Sequence, residues 1–415
     1  MDKEFYKNIF TMFTGTSAAQ LIWILTIPFL TRMFSAAEFG VYQLFLSTTS
    51  IIIIFATARY ETAIIVPKLK NEAIYLTFIP IILSSLYACV ILFCLYFFKI
   101  EFSIFDGILL NKYVKYIPIY IVLLSVYQSF YMWYIREKRY KIISMCLILF
   151  PVCNLFFAYF LQQIFYFSNG LVISTVLSRG IECIYFTYFF IKEINFNFRF
   201  SLIRLKCVLK KYIDFPKYMI LGDSIDNFAA SLPAFLLNIF FGTQVTGYYS
   251  LANQCLNMPI SLVSKSIGDV FKQGASKKYT ENKECKDFYN ANLKLLIKVS
   301  LIIGFFIFIL APVGFKIFFG PEWVQSGEYA RYLILLFCGG VISSPLSNIF
   351  ILARFQKLYL YIQIALLMIN LTVLFIGGFY FKDIYLILFL LGLSKMIISM
   401  VIIYKGGQIA NGKKI

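Results

Sequence analysis

Apolar runs of about 20 residues recur along the whole sequence. An α-helix of that length rises about 30 Å, the thickness of the hydrocarbon core of a bilayer. The runs are continuous, whereas strands of a membrane β-barrel alternate apolar and polar residues. Only 14% of the 415 residues are charged and 60% are hydrophobic, so the polar surface cannot cover a water-facing globule of this size. The sequence therefore predicts an all-α, polytopic membrane protein.

The apolar runs predict twelve transmembrane helices in two six-helix bundles. The predicted spans are 10–31, 39–58, 73–98, 116–135, 142–162, 167–191, 218–241, 245–270, 291–319, 332–353, 358–381 and 384–404. The links between successive spans then lie on alternate sides of the membrane, and most Lys and Arg residues fall in one set of links. By the positive-inside rule that set is cytoplasmic, and both termini belong to it. The chain is thus expected to be a multi-pass membrane protein with both termini in the cytoplasm.

The basic charge of the chain follows from this topology. The net charge is +18, but no soluble basic domain is visible that could bind nucleic acid. The charge instead favours contact with anionic membrane lipids. The longest basic link, 192–217, mixes apolar and basic residues in a way that suits a helix on the inner leaflet, or a plain tether between halves. We therefore expect an N-terminal bundle at 1–191, a cytoplasmic amphipathic linker at 192–217 and a C-terminal bundle at 218–415.

The two halves carry similar landmarks. Pro28 in span one precedes Gly40 and a tyrosine at the start of span two, and Pro233 in span seven precedes Gly247 and a tyrosine at the start of span eight. The two prolines are separated by about half the chain, and so are the two glycines. Because each half has an even number of spans, both point the same way, which predicts a parallel repeat about an axis along the membrane normal. Two such bundles favour a transporter that works by rocking.

Several ionisable residues fall inside the predicted spans, where each costs about 2.5–3.5 kcal/mol on insertion scales. They are Arg179 and Glu182 in span six, Asp223 and Asp226 in span seven, Lys265 and Asp269 in span eight, and Lys395 in span twelve. Arg179 and Glu182 are either a structural pair or part of a site. The two aspartates share one helical face, so they need a cation or a proton. We predict that Lys265 pairs with Asp223 or Asp226 and closes the inner mouth of a cleft.

The segment FATARYETAIIVPK places Arg59 and Glu61 at the cytoplasmic end of span two. Arg59 is either an orientation signal or a group that holds a phosphate through its planar fork of donors. Glu61 would then hold the arginine while the site is empty. The chain has no histidine, and its nine cysteines form no C-x-x-C motif, so no metal or other cofactor is expected.

Two runs carry a family resemblance: PFLTRMFSAAEFGVY and RYETAIIVP. They resemble the start of the Wzx-type O-antigen and polysaccharide flippases of the multidrug/oligosaccharidyl-lipid/polysaccharide (MOP) exporter superfamily. The resemblance covers about the first 70 residues and reaches Arg32, Glu38, Gly40, Arg59 and Glu61. It implies export of an undecaprenyl-diphosphate-linked oligosaccharide, such as an O-antigen or capsular repeat unit, to the outer leaflet. It also implies a cationic cavity, coupling to a proton or sodium gradient, and a pathway shared with a polymerase and a chain-length regulator.

Other functions remain open from the sequence. A multidrug or cation antiporter of the same superfamily would need an acidic, aromatic cleft, whereas basic and acidic groups are mixed here. A membrane-embedded polymerase or glycosyltransferase usually has a long external loop or a soluble domain, and no link is long enough for either. We therefore predict a flippase rather than an enzyme. Its substrate site is expected to include Arg32, Arg59, Glu61, Arg179, Lys265 and Lys395, with Glu182, Asp223, Asp226 and Asp269 in a gate or ion-coupling role.

Overall fold

The computed structural model describes residues 3–98, 113–164, 170–193, 201–282, 284–353 and 355–412. Its regular elements in these ranges are all helical. The helices are α1 (Lys3–Met33), α2 (Ala36–Thr57), α3 (Lys70–Phe98), α4 (Ile117–Arg136), α5 (Tyr140–Gln163), α6 (Gly170–Glu193), α7 (Leu202–Lys211), α8 (Asp214–Asn282), α9 (Lys286–Phe319), α10 (Val324–Tyr332), α11 (Ile334–Leu346), α12 (Asn348–Leu352), α13 (Gln356–Ile376) and α14 (Ile384–Ala410). The prediction of an all-helical chain is confirmed.

The predicted spans coincide with these helices to within a few residues at most of their ends. By length and composition, nine helices of the described part can cross a membrane, counting Asp214–Ser264 as one. Local signals explain where α2 begins. The Ser35 hydroxyl accepts from the backbone of Glu38, and the Glu38 carboxylate accepts from the backbone of Ser35, which forms a capping box.

Spans seven and eight are the two helices of the stretch α8, which meet at a kink and not across the expected link of a few residues. The helical geometry is interrupted at Gly242, where φ is 82° and ψ is 178°. That backbone conformation is essentially restricted to glycine, because a Cβ would clash there. The predicted boundary between the two spans therefore lies at a single glycine.

The chain divides into two compact units, Met1–Ser231 and Leu232–Ile415. In the first, α1 packs on α5, α5 on α6, and α3 on α4. An aromatic cluster of this unit joins Trp133 and Tyr134 of α4 to Phe186 and Phe190 of α6. Gly15 lies so close to α5 that an added Cβ would be 2.0 Å from the Ser144 hydroxyl oxygen, so this contact needs glycine.

In the second unit, α11 and α14 pack on each other and α9 packs on α10 and α11. Its core gathers Phe271 of α8, Tyr289 of α9, Phe350 of α12 and Ile402 of α14. Large apolar side chains are exposed on most of the long helices in both units. Because these side chains would be costly in water, they are the surface that lipid covers. The expected division at 192–217 and the internal repeat stay predictions.

Candidate functional site

Arg59 occupies a sharp turn between α2 and a short 3₁₀ helix, Tyr60–Ile65. Ala58 and Arg59 both have left-handed backbones, with φ of 48° and 58°. The Arg59 N–H donates to the Thr57 hydroxyl over 3.3 Å, and the Thr62 hydroxyl donates to the Arg59 carbonyl over 2.7 Å. The Tyr60 side chain is buried in the aromatic cluster of the first unit. The turn is therefore fixed from both sides and directs the arginine side chain.

Two carboxylates hold the Arg59 guanidinium. Nη1 lies 3.2 Å from Glu61 Oε1, and Nε lies 2.6 Å from Asp223 Oδ2 near the start of α8. The exposed fractions of the three side chains are 18% for Arg59, 2% for Glu61 and 32% for Asp223. Glu61 lies outside the membrane-spanning segments, and burial raises its pKa although the Arg59 charge opposes that shift. Asp223 is thus the more solvated and more easily released of the two partners.

Arg59 also lines a cavity of about 270 Å³ in the first unit. The lining residues are Leu46, Thr49, Ser50, Ile53, Ile54, Arg59, Tyr120, Leu124, Gln128 and Asn227. Sites that enclose a whole drug-sized ligand occupy about 300–1,000 Å³, so this cavity suits a smaller group. Its wall combines a cation, hydroxyls and amides with apolar side chains. That lining fits an anionic group attached to an apolar chain.

The amide of Gln128 faces this polar wall without a complete set of partners. Its Oε1 atom is buried and accepts no hydrogen bond from the described residues. Asn227, which also lines the cavity, donates through Nδ2 to the carbonyl of Asp223 over 2.9 Å. Asn227 therefore links the cavity to the helical turn that carries the aspartate. These two amides, with Tyr120, were not among the residues expected from the sequence.

Arg179 and Glu182 form a second charged group, deeper in the first unit. Arg179 is ion-paired with Glu182, and its guanidinium carbon lies 4.2 Å from the Tyr127 ring centroid and 4.4 Å from that of Phe150. The guanidinium is therefore enclosed by a carboxylate and two aromatic faces. The side chain of Tyr120, which lines the cavity, lies near this guanidinium. Arg179 is thus close to the wall of the cavity.

The remaining candidates are placed as follows. Arg32 is exposed in the last turn of α1, and Asp226 is exposed one helical turn after Asp223. Lys395 is half-buried in α14 of the second unit. The side chains of Lys265 and Asp269 lie outside the described residues, so the predicted pairing of Lys265 with an aspartate stays a prediction. The cation found beside Asp223 is Arg59.

Sequence reasoning identified Arg59 and Asp223 separately and missed that they meet. The signal that could have linked them is chemical. An aspartate inside a predicted span needs a cation, and Arg59 follows span two at the membrane side where span seven, which carries Asp223, is predicted to begin. Tyr120, Gln128 and Asn227 gave no such signal. Single polar residues in a membrane helix are as often packing contacts as binding groups.

The fold matches solved transporters over nearly the whole chain. A multidrug-resistance transporter of the MATE family in the MOP superfamily, in an inward-facing conformation, has a TM-score of 0.72 at 15% identity, covering 96% of this chain and 95% of that one. The lipid II flippase MurJ, in an inward closed conformation, has a TM-score of 0.72 at 13% identity, covering 98% and 90%. A MOP superfamily transporter from Pyrococcus furiosus gives 0.59 at 16%, covering 98% and 95%. The predicted MOP-type fold is confirmed.

Sequence comparison identifies the family. No curated protein matches the chain. Residues 29–328, which include Arg59, Arg179 and Asp223, match the family described as polysaccharide biosynthesis protein. The matched segment is well over half of the chain. The protein is therefore a multi-pass membrane protein with a MOP-type transporter fold, and it belongs to the family of polysaccharide biosynthesis proteins.

Proposed function

We propose that the protein is a flippase that moves an undecaprenyl-diphosphate-linked oligosaccharide from the cytoplasmic to the outer leaflet by alternating access. The family match supports a role in polysaccharide assembly, and a flippase for lipid II is among the neighbours in fold. The proposal places the chain in the bacterial inner membrane with both termini in the cytoplasm. Its cargo would be an O-antigen or capsular repeat unit, delivered to a polymerase and its chain-length regulator.

The ion-paired Arg59 at the cavity is the observation that carries this proposal. A guanidinium offers several donors in a plane, which suits the oxygens of a diphosphate. Two carboxylates neutralise it while no anion is present, at a known cost in desolvation. A diphosphate that enters the cavity would take the place of Asp223, whose side chain is the more exposed partner. The apolar wall beside Arg59 would accept the adjoining lipid.

The mixed charge of the site distinguishes this proposal from a cation antiporter. A cation would be attracted to Asp223 and Glu61 only if Arg59 were removed from between them. An anion could bind Arg59 as soon as one of the two carboxylates has moved away from the guanidinium. Coupling to a proton or sodium gradient is part of the proposal, because neutralising Asp223 would release Arg59 for the anion.

Transport can be tested in liposomes that contain purified protein and a lipid-linked oligosaccharide on both leaflets. Flipping is measured as the fraction of the oligosaccharide that becomes accessible to an added glycosidase. Arg59→Ala should lower the rate at least tenfold, and Arg59→Lys should lower it less, because lysine keeps the charge and loses the planar fork. The matched control is Arg139→Ala, which removes a 59% exposed arginine paired with Glu193 in a link on the same predicted side.

The outcomes separate the alternatives. Wild-type transport of the lipid-linked oligosaccharide with loss in Arg59→Ala supports the proposal. Transport of organic cations without the oligosaccharide would favour the antiporter. In cells that lack other flippases, deletion should lower surface glycan and leave the lipid-linked precursor on the inner leaflet. Normal surface glycan in that strain would contradict the proposal.

A further inference from the structure

Helix α7 lies outside the spans, and its two faces differ. Leu205, Val208, Leu209 and Tyr212 point inward and pack on the aromatic cluster of the first unit. Their spacing of three or four residues is that of one face of a helix. The face that points away from the protein is therefore centred about 180° around the helix axis from these positions.

The outward face has an isoleucine and a cysteine along its middle and basic residues on both sides. At 100° per residue, Ile203 and Cys207 lie near the middle of this face, with Lys206 and Lys210 on one side and Arg204 and Lys211 on the other. All six residues are exposed, and Ile203 is 77% exposed. A large apolar side chain between basic flanks is the arrangement of a helix that lies in a membrane interface.

Three contacts fix this helix in place. The backbone N–H of Ser201 donates to the Tyr75 hydroxyl over 2.9 Å, and the Tyr60 hydroxyl donates to the Leu209 carbonyl over 3.1 Å. Lys211 Nζ lies 2.8 Å from both oxygens of Glu72. Lys211 is thereby neutralised, which leaves Arg204, Lys206 and Lys210 to face outward without an ion pair to any described residue.

We propose that the outward face of α7 is a docking surface for the headgroups of anionic phospholipids. Charge complementarity identifies the occupant: three basic side chains surround an exposed isoleucine, so the surface fits anionic headgroups with acyl chains beneath them. Each basic residue near an anionic leaflet adds to the attraction between the helix and the membrane surface. The nearest acidic residue in the sequence is Asp214, after the helix has ended, so it does not interrupt this face.

The position of α7 gives the surface a further role. Tyr60, which is bonded to α7, directly follows Arg59 in the sequence. Contact of α7 with headgroups would hold Arg59 at the level of the leaflet from which a lipid-linked diphosphate enters. This second role rests on the proposed function, whereas lipid contact by α7 does not.

Fluorescence can test the lipid contact on the full chain. A polarity-sensitive dye is attached to Cys207, the other cysteines being replaced by serine, and the protein is placed in nanodiscs of phosphatidylcholine or of an equal mixture with phosphatidylglycerol. Quenching by acrylamide, which is uncharged, should be at least twofold weaker in the mixed nanodiscs. Lys206→Gln/Lys210→Gln should remove that difference. A dye at Lys138→Cys, in an exposed turn, should be quenched equally in both lipids.

A second measurement needs no cysteine replacement. Added phosphatidylglycerol should raise the unfolding temperature of the wild-type protein in detergent, and of the control Lys138→Gln/Lys141→Gln, more than that of Lys206→Gln/Lys210→Gln. Equal shifts in the three proteins would overturn the proposal. Equal quenching of the dye on Cys207 in both lipids would also overturn the proposal. Any contact of the outward face would then depend on apolar side chains or a protein partner. Neither result depends on transport, so failure of the flippase proposal remains distinguishable.

Discussion

Arg59 Nε and Asp223 Oδ2 lie 2.6 Å apart, which joins the turn after α2 to the start of α8. The two residues are separated by most of the first unit in the sequence. The same guanidinium contacts Glu61 on its own turn. One contact of Arg59 is therefore local in the sequence, and the other links two segments that are distant in the sequence.

The Arg59–Asp223 pair should show a measurable coupling energy. Arg59→Ala and Asp223→Ala each strand a partner, so the double variant should be less destabilised than the sum of the two. Because both side chains are partly solvated, we expect a coupling of about 1–2 kcal/mol. Thermal unfolding of the four proteins in detergent completes the cycle. Strict additivity would show that the pair contributes nothing to stability.

Exchanging the two charges should separate stability from transport. In Arg59→Asp/Asp223→Arg the ion pair can form again, so the unfolding temperature should exceed that of either single variant. Transport should stay low, because the guanidinium has left the turn that directs it into the cavity. Flipping in liposomes is the second measurement. Restored transport in the exchanged protein would mean that only the pair matters and that Arg59 binds no substrate.

Arg179 should be essential for stability. It is enclosed by Glu182 and two aromatic rings, and Glu182 is buried. Arg179→Leu leaves that carboxylate without its cation, at a cost of about 3–5 kcal/mol. Adding Glu182→Gln should recover part of the lost unfolding temperature. The control Arg139→Ala, which removes the exposed arginine of a pair with Glu193, should cost less than about 1 kcal/mol. A larger effect in the control would contradict this account.

Glu61 should make stability depend on pH. Burial raises its pKa above the ordinary value of 4.5, so the folded protein binds this proton more tightly than the unfolded chain. The stabilisation is complete below pH 4.5 and is lost as pH rises through the folded-state pKa. Glu61→Gln should therefore fall less in unfolding temperature across this window than the wild type. Glu322→Gln, at an exposed glutamate, should follow the wild-type curve.

Labelling can check the membrane orientation. Lys138 and Lys382 both occupy left-handed, exposed turns, and the predicted topology assigns them to opposite sides. On a cysteine-free background, a membrane-impermeant thiol reagent added to intact cells should label Lys382→Cys and leave Lys138→Cys unlabelled. Permeabilised cells should label both. Labelling of position 138 in intact cells would reverse the orientation and move Arg59 to the outer face.

Helix positions were predictable because the requirements are local. A run of about 20 apolar residues needs helical hydrogen bonding inside a bilayer, whatever its neighbours are. Ser35 and Glu38 likewise fix the start of α2 within four residues of sequence. The junction at Gly242 was harder to predict, because a glycine between two spans is equally compatible with a loop of a few residues and with a kink at which two helices meet.

The composition of the site was less predictable than its charges. A buried arginine or aspartate is costly, so Arg59, Arg179 and Asp223 stood out in the sequence. Their partners depend on how distant helices pack. Tyr127 and Phe150 were two aromatic residues among 80 until packing brought their rings to Arg179.

The two left-handed residues at the end of α2 determine how far Arg59 can move independently. Neither Ala58 nor Arg59 is a glycine. For an L-residue the left-handed region is small, so few other backbone conformations of similar energy lie close to it. The backbone between α2 and Arg59 is therefore rigid. A displacement of the Arg59 side chain would move α2 as a whole. With 22 residues, α2 is about 33 Å long. A movement of α2 at one membrane face would therefore also occur at the other.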